Sequence, residues 1–297
     1  AIASLVDDFN AAERSKSYNM LDIAASTRYH ASDNVDVVLG VSQKNRAPTY
    51  FERYTWLPLG ISGGMADGFN YIGNLALDNE TARQIDVGID YRFKSWSVSP
   101  RLFYQDIEDY ITGSPSTNMA ANMVSTMMAG TTPFQWTNTD AVIKGADLTV
   151  SGNVFDNVKL NAVASVQHGN RDDIDDALFR IAPEQLITTI QWDTQLFNAP
   201  MALQLTSELA GAQNHVSALQ NETTTAGYGL VHITGLFTLI DNARSNLQIT
   251  ATVHNLFDKH YAPHTAGINR VRNTDVALGE RVPAAGREWH LSLSYRF

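Results

Sequence analysis

The chain has 297 residues, 44% of them hydrophobic and 18% charged, with 31 acidic against 21 basic side chains and no cysteine. A net charge of −10 with no basic run excludes a nucleic-acid binder, because neutralising phosphates takes clustered Lys and Arg; the lack of Cys excludes disulfide scaffolds, thiolate zinc sites and thiol nucleophiles. No stretch reaches the roughly 18 consecutive apolar residues of a membrane-spanning helix, but a membrane barrel stays open, since its alternating strands give an unremarkable mean hydropathy.

In chain order, Ala1 to Asn19 reads as the tail of a loop, and period-2 segments start near Leu21 and Val35. The next is clear: Ile85, Val87, Ile89, Tyr91 and Phe93 alternate with Asp86, Gly88, Asp90 and Arg92. Segments follow from Trp96, Ile143, Val158, Leu186, Met201 and Val231, those at Ile143 and Leu186 alternating imperfectly. Leu247, Ile249, Ala251 and Val253 then alternate with Gln248, Thr250, Thr252 and His254. Last, Trp289, Leu291, Leu293, Tyr295 and Phe297 alternate with Glu288, His290, Ser292, Ser294 and Arg296. This predicts about eleven strands of roughly the 9 to 12 residues that a tilted barrel strand needs.

The connections alternate in length. Short ones fall at Ala31 to Asn34, around Lys94 and Ser95, at Asn153 to Asn157, Leu196 to Ala199 and Ile240 to Ser245. Long ones fall at Gln43 to Arg83, Asp109 to Thr139, His168 to Glu184, Gly211 to Thr225 and Leu256 to Ala285. Five structureless loops of that size would count against strands in a compact soluble domain, whereas an outer-membrane barrel has short periplasmic turns on one rim and long extracellular loops on the other. A soluble β-sandwich or solenoid also alternates, but it need not pair short turns with long loops or end on an aromatic. Tyr91, Phe93, Trp96, Trp192, Phe197, Phe237, Tyr295 and Phe297 gather beside the short turns and the C-terminus, as an interfacial girdle would. The expected fold is therefore all-β: a transmembrane antiparallel β-barrel. An odd strand count cannot close a single-chain bacterial barrel with both ends in the periplasm, and Ala1 does not open a signal peptide. The reading is thus a processed product or one piece of a longer polypeptide with about eleven further strands before it.

Three motifs carry a family resemblance. Asn255-Leu256-Phe257-Asp258-Lys259-His260-Tyr261 opens the last long loop before a terminal Phe. Arg46, Pro48 and Glu52 fit an Arg-x-Pro-x-x-x-Glu pattern, and Gly73, Asn74, Leu77 and Glu80 fit Gly-Asn-x-x-Leu-x-x-Glu, with Asn79 where the family usually has Pro. Over essentially all 297 residues, order and spacing resemble the C-terminal half of the barrel of TonB-dependent outer-membrane receptors. That resemblance implies a 22-stranded barrel closed by an N-terminal plug, taking up a scarce metal ion, metal chelate or cofactor with TonB-derived energy. It implies the bacterial outer membrane as location, with lipid, the plug and remaining strands, the TonB complex and the barrel-assembly machinery as partners. The run Trp289, Leu291, Leu293, Tyr295, Phe297 resembles the signal that this machinery reads. A barrel that wide needs a plugged lumen, which Asp86, Asp90, Arg92, Gln248, His254 and Arg296 would line. The alternative is a passive porin selecting by a charged constriction; an outer-membrane hydrolase or adhesin would need a complete Ser/His/Asp set. An enzyme is not expected.

For the transported ligand, copper or an iron chelate, the candidates lie in the long loops. Met119, Met123, Met127 and Met128 fall within ten residues, the first three at the spacing of one helix face, and thioether sulfur favours Cu(I). The plainer reading makes them the small core of a loop folded inward over the plug. His215, His260 and His264 are loop imidazoles that could hold a metal or a heme iron, although Pro263 breaks the helix that His260 and His264 would share. Asp172, Asp173, Asp175 and Asp176 make an acidic tip without a calcium-loop pattern, and read as solvated. Gly60-Ile61-Ser62-Gly63-Gly64 matches Gly-x-Ser-x-Gly but lacks the strand and helix of a nucleophile elbow.

Overall fold

A computed structural model describes residues 1–63, 66–242 and 244–297 of the chain. Eleven strands form one antiparallel meander: β1 (Ile23–Ser32), β2 (Val35–Arg46), β4 (Glu80–Phe93), β5 (Trp96–Pro115), β6 (Phe134–Phe155), β7 (Val158–Arg171), β8 (Gln185–Leu196), β9 (Ala199–Ala210), β10 (Tyr228–Asp241), β11 (Asn246–His254) and β12 (Glu288–Arg296). A two-residue strand, β3 (Tyr71–Ile72), lies off this path and pairs parallel with β6. Each strand pairs with its neighbour in sequence, and β1 and β12 are the two edges of the sheet.

The alternation in sequence sets the register. Leu247, Ile249, Ala251 and Val253 lie opposite Tyr295, Leu293, Leu291 and Trp289, while Gln248, Thr250 and Thr252 lie opposite Ser294, Ser292 and His290. Ile85, Val87, Ile89 and Tyr91 likewise face Val41, Leu39, Val37 and Val35. One face of the sheet is therefore apolar and the other polar, and a one-residue slip would exchange them in every strand. Leu39, Ile85, Leu102, Leu205 and Leu291 stand exposed on the apolar face. So do Tyr91 and Phe93, stacked with ring centroids 6.5 Å apart, and Trp192, Phe197, Tyr295 and Phe297, all near the rim of short turns. These turns are tight: Phe197 and Asn198, joining β8 to β9, both have positive φ (50° and 64°), which matches the right-handed twist of the flanking strands. Ala243, in the β10–β11 turn, lies outside the described residues.

Near the short turns the polar face is knit by charge. Asp36 accepts from Arg28 and Arg92 (3.0 Å each) and contacts His30 at 2.6 Å. Asp90 accepts from Arg28 at 2.6 Å and from Arg101. Arg101 lies flat across the neighbouring strand because Gly88 has no side chain; a Cβ there would run into its guanidinium stem. Asp90 and Arg92, expected among the polar residues of the lumen face, are thus members of a bonded lattice.

The long connections differ most from expectation in one place. Residues 109–139 were expected as a loop, but β5 and β6 run on as a paired ribbon, Tyr110 opposite Thr139 through Pro115 opposite Phe134, leaving only 116–133 as the tip. A register shift between Ile107 and Tyr110, with Asp109 at φ 57°, lets the ladder continue in a new phase. With 22 residues β6 reaches about 70 Å at ~3.3 Å per residue, far more than the roughly 9–11 residues a bilayer takes up, so the ribbon's outer half stands clear of the sheet's spanning zone. Its tip carries helix α3 (Met119–Ala129). The first connection, 47–79, contains helix α2 (Tyr50–Tyr54) and β3; the N-terminal segment expected to be a loop tail contains helix α1 (Ile2–Ala11). Leu5 of α1 packs with Ile72, Ala121 and Val124, flanked by Trp56, Leu57 and Leu59, and Tyr71, Leu77, Ile111, Phe134 and Trp136 form a second cluster. Ile107, Ala141 and Leu178 form a third, so the buried core of this chain gathers among its loops and the outer parts of β5 and β6. Among the described residues no helix is long and apolar enough to cross a membrane, which says nothing of crossing by strands.

Candidate functional site

The loops converge on the rim opposite the short turns and form a cap. Its base is a latch built from two of the sequence motifs. Arg46 ends β2 opposite Glu80, which opens β4. Its Nε and one terminal nitrogen donate to the two oxygens of Glu80 at 2.7 Å each, and the other nitrogen donates to both oxygens of Glu52 at 3.1 and 2.9 Å. Glu52 sits at the third position of α2 because of a capping box: Thr49 Oγ1 accepts from the Glu52 amide, and the Glu52 carboxylate accepts from the Thr49 amide at 2.6 Å. Pro48 precedes that cap. Glu80 also accepts from the Ile111 amide at 2.8 Å, tying the latch to the ribbon. Two nearby carboxylates, Glu80 first, push the Arg46 pKa above its ordinary value, so the guanidinium stays charged. Asn74 continues the chain of contacts: its amide donates to Glu52 O and its side chain to Trp136 O at 3.1 Å. The third motif closes a turn. Asn255, at φ 48°, donates to Lys259 O and accepts from the Lys259 amide, both at 2.8 Å. The Leu256 amide bonds Val231 O, Asp258 accepts from the Arg287 amide at 2.8 Å, and the Tyr261 ring lies 4.5 Å from that of Tyr228. Phe257 projects exposed. The motif residues are thus builders of the cap.

Within the cap, polar residues are buried and mutually satisfied. Tyr71 packs its ring against Gly113, where any Cβ would collide with it, and its hydroxyl donates to Asp67 at 2.5 Å and accepts from Gln220. Burial pushes the Asp67 carboxyl above its usual range against that hydrogen bond, and burial followed by Asp67's charge pushes the Tyr71 hydroxyl up as well. His264 was expected on an exposed loop as a metal-ligand candidate; it is 2% exposed, with Nδ1 3.0 Å from Thr225 Oγ1 and Nε2 2.9 Å from Glu222. Both ring nitrogens are used, so it acts as a tie between the last two long connections. Glu222 also accepts from the Arg180 amide (2.9 Å) and the Ser217 amide (3.0 Å). Burial alone would raise its pKa, but the bonds from His264 and these amides together hold it below the usual carboxylate value. Asp67, Phe69, Phe179, Gln220, Glu222 and Arg281 line a cavity of about 240 Å³ between these loops.

A folded-state pKa below the unfolded one contributes stability above the unfolded value that is lost as pH falls through the folded value. Acidification from pH 7 to about 3 is therefore expected to loosen the tie at Glu222, and Glu222→Gln to weaken it already at pH 7, by about 1–3 kcal/mol through an amide nitrogen turned toward donors. Amide exchange at residues 211–227 and 256–285, corrected for the intrinsic pH dependence, measures it; equal protection in the wild type at both pH values would contradict the assignment.

The acidic tip is more engaged than a solvated one. Asp173 takes two bonds from Arg171 (2.9 and 2.6 Å), which hold its carboxyl down to about 2, and Asp176 accepts from Ser217 Oγ and from the Ala218 and Leu219 amides. Asp172 and Asp175 are exposed. His215 and His260 are exposed as expected; His215 Nε2 contacts Asn170 Oδ1, and its ring lies 6.0 Å from that of His168, which the structure places within β7. Ser62 is buried in a 3-10 turn, donating to Leu59 O and accepting from the Tyr71 amide, which leaves no elbow geometry; Gly64 of that match lies outside the described residues.

The methionines do form a helix. Asn118 caps its first turn by accepting from the Ala121 amide, and Gly130, at φ 77°, ends it. Ala121, Val124 and Ser125 face the cap, Ser125 accepting from Asn70 at 3.2 Å. On the opposite face Met119, Met123, Met127 and Met128 are 84, 61, 71 and 64% exposed. They are therefore no part of the loop core, and the small residues Ala121 and Val124 fill that role. Among the described residues, no three carboxylate or imidazole side chains already surround a point that could hold a metal ion.

A family model described as TonB dependent receptor-like, beta-barrel, matches residues 4–256. The structure of copper transporter OprC superimposes with a TM-score of 0.73 at 20% identity, over 92% of this chain and 39% of that one. A variant of the ferric enterobactin receptor PfeA from Pseudomonas aeruginosa gives 0.63 at 20% identity, over 93% and 40%, and the siderophore receptor PirA from the same organism gives 0.61 at 16% identity, over 93% and 41%. This chain spans about two fifths of the length of each, and at such identities the likeness speaks for the fold alone. No curated protein matches it in sequence.

Proposed function

The chain belongs to the TonB-dependent receptor family, as β-barrel of an outer-membrane protein, and from that premise we propose that it forms the C-terminal half of the barrel of an active-transport receptor for a scarce metal nutrient. The family and the neighbouring structures are receptors and transporters, not enzymes. In this reading an N-terminal plug and further strands complete the barrel, TonB supplies energy through the plug, the apolar face of the sheet meets lipid, and the terminal run ending at Phe297 guides assembly.

For the substrate, the observation that carries the reading is the exposed methionine stripe on α3. Four flexible apolar side chains held at a helix surface cost solvation and add nothing to the core of the cap. Thioethers are soft ligands, and Met119, Met123 and Met127 repeat at four-residue spacing along one face. Copper in its Cu(I) state is the ion that this surface suits, and a copper transporter stands among the structural neighbours. Replacing Met119, Met123 and Met127 together by Leu keeps the apolar volume and removes only sulfur. The complete receptor is expected to bind Cu(I) under reducing conditions and the triple variant to lose at least nine tenths of that binding, with unchanged folding. Equal binding by the variant, or none by the wild type, refutes the copper reading and turns attention to a chelated metal held by plug and loops.

A further inference from the structure

Three of the chain's eight histidines stand side by side on the polar face of the last strands, apart from the cap and its ties. His232 belongs to β10, His254 ends β11 and His290 lies in β12; ring centroids are 5.3 Å apart between the first two and 5.2 Å between the last two. Glu208, on β9, extends the row. His290 lies opposite Thr252, in the polar series that faces the lumen, at the outer mouth directly beneath the turn closed by Asn255.

The orientation of His232 is specific. Its Nδ1 accepts from the Asn255 amide at 3.1 Å, so that nitrogen carries the lone pair and the ring proton is on Nε2, which faces Glu208 Oε2 at 3.8 Å. At 3.8 Å Glu208 is short of a hydrogen bond, and a shift of about 1 Å would complete the carboxylate–imidazole pairing of metal-binding histidines. His254 Nδ1 stands 3.3 Å from His232 Nδ1. Two imidazole nitrogens on a tetrahedral ion, each at about 2.0–2.1 Å, are separated by roughly that distance. Without metal the same gap is a long hydrogen bond from His254 to His232. His290, exposed on the edge strand, is free to swing in as a third ligand.

We propose that His232, His254 and His290, with Glu208 orienting the first, bind a divalent transition-metal ion, Zn²⁺ or Cu²⁺, on the lumen wall at the outer mouth of the barrel. Imidazole selects ions of this borderline class, and binding proceeds by a tautomeric shift of the His254 proton from Nδ1 to Nε2 through solvent, which frees the Nδ1 lone pair with no net proton loss, and a turn of His232 away from the Asn255 amide. The inference rests on the reading of this face as the lumen of a metal-uptake barrel, where such a site would receive an ion passed inward from the cap. It is distinct from the soft thioether surface on α3 in both place and chemistry.

The test is calorimetric titration of the complete receptor in detergent with Zn²⁺, for the wild type, His254→Gln, His290→Gln, Glu208→Gln and the Met119/Met123/Met127→Leu variant, with heat-dependent electrophoretic mobility as the check on folding. One Zn²⁺ site is expected in the wild type and the methionine variant. His254→Gln should weaken it at least a hundredfold, His290→Gln and Glu208→Gln about tenfold. If the folded wild type binds no Zn²⁺, or His254→Gln binds as the wild type does, the ladder is only a hydrogen-bonded row and the proposal is overturned, whatever the copper result. If the Zn²⁺ site is found and lost as stated while no Cu(I) binds, the ladder stands and the thioether reading falls.

Discussion

Residues 1–297, expressed alone and refolded into lipid or detergent, are expected not to give a sealed barrel containing one copy of the chain. The reason lies at the two edges. Among the described residues β1 hydrogen-bonds only β2 and β12 only β11, so each edge presents a row of unpaired amides and carbonyls. Both strands also expose apolar side chains, with Trp289, Leu291 and Leu293 all more than 65% exposed. In water such an edge invites pairing with other chains; in hydrocarbon each unmet backbone group costs several kcal/mol. Over the nine residues of β12 alone, about half of whose backbone groups point outward, the sum is on the order of ten kcal/mol or more. The isolated chain should therefore aggregate or be proteolysed, and heat-modifiable mobility should appear only when the missing wall is supplied. A compact, heat-modifiable monomer of these residues would show that β1 and β12 can meet, and would sink the expectation of a wider barrel.

Arg46→Ala is expected to release the base of the cap. The substitution removes four charge-assisted bonds and leaves Glu52 and Glu80 facing one another, both side chains mostly buried. Removing one partner of a buried ion pair costs about 3–5 kcal/mol; with the Arg46 side chain 40% exposed, water can reach part of the gap, and about 2–3 kcal/mol is the better expectation. The barrel register, set by the whole ladder between β2 and β4, should be unaffected. Limited proteolysis reads the difference: cleavage within 47–79 should speed up by one to two orders of magnitude while the strands stay protected. Glu52→Gln together with Glu80→Gln in the Arg46→Ala background removes the repulsion and should restore part of the protection. Wild-type cleavage rates in Arg46→Ala would mean that α2 and the Tyr71 cluster hold the loop without the latch.

The strands were legible because a sheet wet on one face and apolar on the other writes its period into the sequence. Every segment from Leu21 to Trp289 found its strand within a few residues, apart from β4 and β6, which start earlier because their outer ends leave the alternating zone. Between Ile111 and Gly113 three successive residues are buried, with Tyr71 on Gly113, so the ribbon above Tyr110 carries no period 2 and read as loop. β3 has two residues, too few to show any period. The motifs pointed to the family, but that Arg46, Glu52 and Glu80 meet at one point depends on α2 folding back over β2 and on the register of β4. The helical spacing of the methionines was readable, whereas their exposure was not, because it depends on Ala121 and Val124 finding Leu5 and Ile72. His232, His254 and His290 lie 22 and 36 residues apart in sequence and become neighbours only through the hairpin and the last loop.

The ribbon of β5 and β6 also governs how this protein can diverge. From Tyr110 to Pro115 every residue has a fixed partner on the other strand, so losing or gaining one residue there would turn each following side chain to the opposite face and set Tyr71 against a different neighbour. Beyond Pro115 that constraint ends: Ser116 and Pro133 are joined by a backbone bond, and their positions depend little on what lies between. Within the tip, Ala121 and Val124 of α3 are held against Leu5 and Ile72, so insertions and deletions should accumulate after the helix, within 130–132, and be scarce in the ribbon. The stem would be inherited while the tip is exchanged, so that one scaffold can be refitted for a new cargo without being refolded.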